Sequence, residues 1–168
     1  AVGGAGNIAH YKNGSWTKIE SGTTTNINDA WGFFENGTST VYCPVSSVFN
    51  PPQDKKILKI TSDKVDSISW KKDRIVYSCW TINKNFLFVG GEGVFVYKFG
   101  TWEQITLPPI TTNSIRGNEI NDVFAVGSLG TIFHFNGISW QVISSYTQKE
   151  NYGVDFKNNV VAICGYYN

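Results

Sequence analysis

The stretch from Asn121 to Trp140, NDVFAVGSLGTIFHFNGISW, decides how this chain is read. Two short apolar runs, VFAVG and TIFHF, are separated by Ser128-Leu129-Gly130, and a third run opens at Ser139-Trp140 after Asn136-Gly137. The runs are rich in β-branched and aromatic residues, and Gly or Asn-Gly sits at each break, where a tight turn needs a backbone with positive φ. The spacing predicts a meander of short antiparallel strands.

Degraded copies of this unit recur along the chain. The turn that ends in Trp appears at Asn13-Gly14-Ser15-Trp16, Asp66-Ser67-Ile68-Ser69-Trp70, Phe99-Gly100-Thr101-Trp102 and Asn136-Gly137-Ile138-Ser139-Trp140. The strand ahead of it recurs as Ile8 to Tyr11, Ile57 to Ile60, Val94 to Tyr97 and Ile132 to Phe135. One step earlier come Ala1 to Gly3, Val41 to Val45, Leu87 to Gly90, Phe124 to Gly127 and Ala162 to Gly165. A further strand precedes these: Asp29 to Gly32, Ser78 to Thr81, Ser114 to Gly117 and Gly153 to Phe156.

Four strands in a unit of roughly 40 residues is the pattern of a β-propeller blade. A single twisted four-stranded sheet cannot bury both of its faces, and radial packing of several sheets lets each cover its neighbour. The expected fold is therefore all-β, a propeller of four-stranded antiparallel blades with about four to five blade equivalents. A single domain over 1–168 would comprise a partial blade at 1–22, blades at 23–73, 74–108 and 109–146, and a partial blade at 147–168. The ring would close through the termini, or the chain would be a fragment of a larger propeller. Both ends offer the same second strand, so closure leaves Ala1-Val2-Gly3 outside the sheet. No window shows helical periodicity. The longest irregular insertion, Ser46 to Lys56, contains Pro51-Pro52, which forbids regular strand pairing.

Composition removes several functional classes. With 14 Lys plus Arg against 13 Asp plus Glu, neither sign segregated, the chain lacks the electrostatic footprint of a nucleic-acid binder. The longest basic cluster, Lys71-Lys72-Asp73-Arg74, reads as a solvated turn. No apolar run is long enough to span a membrane, and no segment reads as a signal peptide. The absence of Met suggests a mature or excised piece of a longer product. Cys43, Cys79 and Cys164 form no metal-ligand spacing and read as small hydrophobes in strands. The triplets Asn13-Gly14-Ser15 and Asn36-Gly37-Thr38 match a glycosylation acceptor but fall where the fold wants Asn-Gly turns. No cofactor or metal motif stands out. Gly90-Gly91-x-Gly93 lies between strands with no helix after it, which excludes a phosphate loop.

The motif Asn121-Asp122-Val123-Phe124-Ala125-Val126-Gly127, then Gly130-Thr131-Ile132, then His134-Phe135-Asn136-Gly137-Ile138-Ser139-Trp140 resembles the bacterial propeller repeat written DVxAVGxxGxIxHYxGxxW. The likeness is strongest from Phe86 to Trp140 and faintest from Val48 to Arg74. Such repeats occur in large secreted or cell-envelope proteins and are distantly similar to photosystem-assembly and sialidase-type propellers. The resemblance implies a propeller and an extracellular or envelope location, but no particular ligand. Sialidase chemistry would need an arginine cluster, an acid and a tyrosine nucleophile. The chain has only Arg74 and Arg116, and its turns keep only the Gly-x-Ser/Thr-Trp end of the Asp-box.

His10 and His134 fall at matching strand positions, so repeat symmetry accounts for them as packed or hydrogen-bonded residues. Trp16, Trp70, Trp102 and Trp140 are expected to cover seams between sheets. The candidate binding set lies one strand inward: Trp31, Trp80, Arg116 and Asp155 occupy equivalent places and would point to the mouth of a central channel. Aromatic faces beside a guanidinium and a carboxylate suit a peptide or a sugar. The plainer alternative is that they pack the hub, with Arg116 paired to Asp155. The expected function is a non-catalytic module for protein or ligand binding or scaffolding. The rivals are a lectin-like propeller using Trp31 and Trp80, and a non-catalytic piece of a propeller hydrolase or lyase.

Overall fold

A computed structural model describes residues 1–48, 55–70, 73–143, 145 and 147–166. The fold is all-β. The strands are β1 (Asn7–Lys12), β2 (Ser15–Glu20), β3 (Trp31–Glu35), β4 (Thr38–Val45), β5 (Lys56–Thr61), β6 (Lys64–Ile68), β7 (Val76–Asn83) and β8 (Phe86–Gly91). They continue as β9 (Gly93–Lys98), β10 (Thr101–Gln104), β11 (Thr112–Glu119), β12 (Asp122–Gly127), β13 (Ile132–Phe135), β14 (Trp140–Ile143), β15 (Asn151–Lys157) and β16 (Val160–Gly165). They form three four-stranded sheets, β3 to β6, β7 to β10 and β11 to β14, with a two-stranded sheet on either side in sequence, β1–β2 and β15–β16. The strand pairings are antiparallel. Most of the Pro51-Pro52 insertion, and Lys71-Lys72, lie outside the described residues.

Turn chemistry explains the hairpins. Asn13-Gly14, Asn36-Gly37 and Phe99-Gly100 each place two residues at positive φ between paired strands. That is the primed geometry whose twist matches the flanking strands. The two Asn-Gly triplets are thus explained as turns by their backbone. Two short 3-10 turns, Gly4–Gly6 and Ser128–Gly130, are the described helical elements, and the pattern of apolar runs did not announce them.

The contacts divide the chain into two compact units, Ala1–Tyr77 and Ser78–Asn168. In the first, Ile8 and Ile19 from the β1–β2 hairpin pack with Ile27, Cys43, Val45, Leu58 and Ile60. Full burial of an Ile, Leu or Val side chain stabilises by about 1.5–3 kcal/mol, so this cluster is what holds the hairpin to the β3–β6 sheet. Burial, helped by the charge of Asp29, pushes the Cys43 thiol up to about 12, which keeps it neutral and unreactive. A polar knot ties the loop after β4 to β7: the buried Ser46 Oγ accepts the Val76 amide at 3.1 Å and donates to the Val76 carbonyl at 2.6 Å. Asn28 Nδ2 donates to the same carbonyl at 2.8 Å.

In the second unit three successive sheets lie face to face. Trp80, Phe95, Phe133, Leu87 and Ile115 are its largest fully buried side chains. Phe88 on β8 meets both Phe135 and Trp140 of the following sheet at 6.1 Å between ring centroids. Phe124 on β12 meets Phe156 on β15 at 5.3 Å, edge to face. The first strands are also stapled by hydrogen bonds. Ser78 Oγ accepts the Ile115 amide at 3.2 Å, and Ser114 Oγ accepts the Val154 amide at 3.3 Å. The register shift between Thr112 and Ser114 on β11 recurs between Asn151 and Gly153 on β15. β15–β16 therefore repeats the register of β11–β12 from Thr112 to Gly117, and lacks only the second shift, between Gly117 and Glu119.

Ala1-Val2-Gly3 pairs with β1 but is too short for a regular strand: Val2 bridges Ile8, Ala1 exchanges two backbone hydrogen bonds with Ala9, and the chain then turns through Gly4–Gly6. One expectation needs correction: the four turn tryptophans do not share one role. Trp70 is buried, Trp102 and Trp140 are half-buried, and Trp16 is 62% exposed. Trp16, Trp102 and Trp140 sit directly across the hairpin from an aromatic partner, Tyr11, Tyr97 and Phe135 respectively. Trp70 instead donates its ring N–H to the Arg74 carbonyl at 3.2 Å.

Candidate functional site

The first strands of the sheets carry the residues singled out from the repeats. In the second unit, Trp80 lies on β7, Arg116 on β11 and Asp155 on β15. Arg116 and Asp155 have equivalent places, opposite Phe124 and Ala162 in matching registers. Their environments differ. Trp80 is 2% exposed; its ring contacts Phe88 at 6.1 Å and lies flat against the backbone of Gly117, where an added Cβ would meet ring atoms at 2.7–2.9 Å. A ring enclosed in this way belongs to the core and offers no face to a ligand.

Arg116 is half-buried, and its Nη1 donates to Ser78 Oγ at 3.0 Å, to the Cys79 carbonyl at 3.0 Å and to the Ile115 carbonyl at 2.8 Å. The guanidinium is thus held by acceptors on its own first strand and on the preceding one. Asp155 is exposed, and its Oδ1 accepts the amide of Phe156 at 2.9 Å. In the first unit, Trp31 opens β3 opposite Tyr42 and is half-buried. Of the four, Asp155 and, in part, Trp31 and Arg116 present side chain to solvent.

The two histidines occupy polar surface pairs. His134 Nε2 donates to Asp122 Oδ1 at 2.8 Å, and its ring stacks on Phe124 at 4.2 Å with planes 24° apart. His10 Nδ1 lies 2.9 Å from Asp63 Oδ1. Neither has a hydroxyl or thiol nucleophile in its described contacts. Among the described residues no group of three or more His, Cys, Asp or Glu is placed to hold a metal ion, and no helix is long and apolar enough to cross a membrane.

An open groove of about 590 Å³ lies in the first unit, lined by Ala5, Gly6, Asn7, Lys18, Glu20 and the run Ser21 to Thr25. On its wall Lys18 Nζ and Glu20 Oε1, neighbours on one face of β2, are bonded at 2.7 Å. The repeat pattern does not mark this place. The signal was a departure from the pattern: Ala9 stands where the other copies have Leu58, Phe95 and Phe133, all buried. Lys18, its cross-strand partner, stands where they have Ser67, Gln104 and Val142.

The chain matches no protein-family model. No curated protein matches it either.

Proposed function

We propose that this chain is a non-catalytic β-propeller module that binds a protein or other ligand, or scaffolds an assembly, outside a bacterial cell or in its envelope. The observation behind this reading is the staple between first strands. A serine on one first strand accepts the amide of the next, from Ser78 to Ile115 and again from Ser114 to Val154. A fixed relation repeated from sheet to sheet is what radial packing requires, and it supports blades around an axis. The sequence resemblance and its associated location support the extracellular part. The described His pairs and cysteines supply no nucleophile with a base, which favours binding over turnover.

Two measurements test it. Small-angle scattering of the 168-residue chain should fit a disc pierced by a channel, and a profile of an elongated stack would sink the propeller. A screen of glycoside, ester and peptide substrates should give no turnover that tracks the protein. Turnover lost with a point variant would sink the non-catalytic reading. The enclosure of Trp80 weighs against a channel-mouth lectin that uses both Trp31 and Trp80 as platforms.

A further inference from the structure

The exposed face of the β1–β2 hairpin shares a Tyr–Trp pair with β9–β10, where Tyr97 and Trp102 lie 5.0 Å apart at 48°, but differs in the side chains beside it. Side chains alternate along a strand, so Tyr11, Ala9 and Asn7 share one face with Trp16, Lys18 and Glu20. The opposite face carries Ile8 and Ile19 into the core. At one end of the outer face Tyr11 and Trp16 form a tilted pair, ring centroids 5.1 Å apart and planes at 47°, and they are 57% and 62% exposed. In the middle, Ala9 leaves a shallow floor beside the Lys18–Glu20 pair. At the other end lies the polar groove with Thr24 and Thr25.

We infer that this face, from Tyr11 and Trp16 along Lys18 and Glu20 into the groove, is a binding site for a neutral oligosaccharide. Aromatic faces take the apolar C–H surface of a sugar ring, and polar groups at the edge fix its hydroxyls. Lys18 supplies donors and Glu20 acceptors, and because they neutralise each other they favour hydroxyls over a charged ligand. From Trp16 to Glu20 the strand extends about 13 Å, which suits a short run of sugar rings better than one. A second protein sheet is a poorer occupant. Where Phe88 covers Phe135 and Trp140, the face below them is filled by the buried Phe133. Here a covering sheet would leave a void over Ala9 and desolvate the Lys18–Glu20 pair, and both are unfavourable.

The inference rests on the reading of the chain as a binding module, though not on ring closure. Its test is calorimetric titration with neutral cello-, xylo-, manno- and chito-oligosaccharides, with tryptophan fluorescence as a second readout. At least one series should bind, longer chains more tightly than the monosaccharide. Trp16→Ala should weaken binding at least tenfold, and Ala9→Phe, which restores the bulk found at the matching positions, should abolish it. Phe34→Ala should leave binding unchanged, since Phe34 is exposed on β3 and is not part of this face. Circular dichroism confirms the fold of each variant, and Lys18→Ala gives a second exposed probe. Absence of binding to every series, binding only to anionic glycans, or equal binding by wild type, Trp16→Ala and Ala9→Phe would each overturn the site. So would concentration-dependent dimerisation through this face without saccharide binding. A ligand that depends on Trp31 but ignores Trp16 would defeat this inference and leave the module reading standing. Turnover of the bound sugar would do the reverse.

Discussion

Residues 1–25 and 125–149 follow one plan, and they differ at the hairpin turn and in the side chains of one face. In both, Ala-Val-Gly leads through a 3-10 turn into a strand, a turn and a second strand with Trp at its first or second position. The middle residue of each 3-10 turn, Ala5 or Leu129, has a left-handed backbone, followed by Gly6 or Gly130 at φ 69°. Each turn lies against a serine turn. Ser21 Oγ accepts the Thr23 amide and donates to its carbonyl, and Ser145 Oγ does the same with Thr147. Thr23 and Thr147 in turn accept the amides of Thr25 and Lys149. The backbone scheme is kept down to individual hydrogen bonds. The outward side chains are not: Ala9 and Lys18 stand for Phe133 and Val142. A repeat constrains residues that serve the backbone and frees those on a face, so departures on a face are where function is to be sought.

The strongest way to break that comparison is to exchange the diverged layer. Phe133 is 1% exposed at the centre of its unit, and Phe133→Ala should cost about 3–5 kcal/mol through lost burial and a residual cavity. The matching change in the other copy is Ala9→Phe, on a half-buried face with room beside it, and surface changes of this kind usually stay within about 0.5 kcal/mol. Urea melts of both variants check the asymmetry. Comparable losses would mean that the β1–β2 face is packed like its counterpart and is no binding surface.

Next in size come the two glycines, where the copies should behave alike. A Cβ on Gly6 would lie 1.9 Å from the Thr23 carbonyl oxygen, and one on Gly130 would lie 1.9 Å from that of Thr147. The oxygen belongs to backbone and cannot swing aside, and the positive φ adds its own strain. Gly6→Ala and Gly130→Ala should therefore each cost at least about 2 kcal/mol. Chemical denaturation gives both values. A tolerated alanine in one copy alone would show that the shared geometry is not under the same constraint in each.

Much of the fold was legible because a repeat writes its turns in residues with one backbone meaning. Asn13-Gly14 and Asn36-Gly37 read as hairpin turns and are. The four-stranded order follows from counting apolar runs between such turns. The 3-10 turns were not legible, since Gly4-Ala5-Gly6 and Ser128-Leu129-Gly130 share little beyond their last glycine, and the serine turns that hold them lie far along the chain. The candidate site was legible only in part. Equivalent positions on the first strands could be listed from the repeats, but burial could not. Trp80 and Trp31 look alike in sequence, yet one is enclosed by Phe88 and Gly117 and the other is half-exposed. The β1–β2 face is not legible from the repeat, because it is defined by what the copies do not share.

The smallest expected effect lies in the histidines, which share a strand position and differ in partner. His134 bonds Asp122 from the neighbouring strand of its own sheet and stacks on Phe124, with the His134 and Asp122 side chains 26% and 38% exposed. His10 reaches instead to Asp63, in the turn between β5 and β6, and that pair is more open, at 39% and 58%. Removing His134 loses a part-buried hydrogen bond and a ring contact, together about 1–1.5 kcal/mol. Removing His10 loses a solvated pair that contributes within about 0.5 kcal/mol. Double-mutant cycles, His134→Ala with Asp122→Ala and His10→Ala with Asp63→Ala, isolate the pair energies by thermal or urea melts. A coupling at His10–Asp63 equal to that at His134–Asp122 would show that the turn between β5 and β6 anchors the first hairpin as firmly as a strand neighbour does. A larger coupling at His134 would place both histidines among the residues that hold the repeat together, with the divergence confined to the outer face of β1–β2.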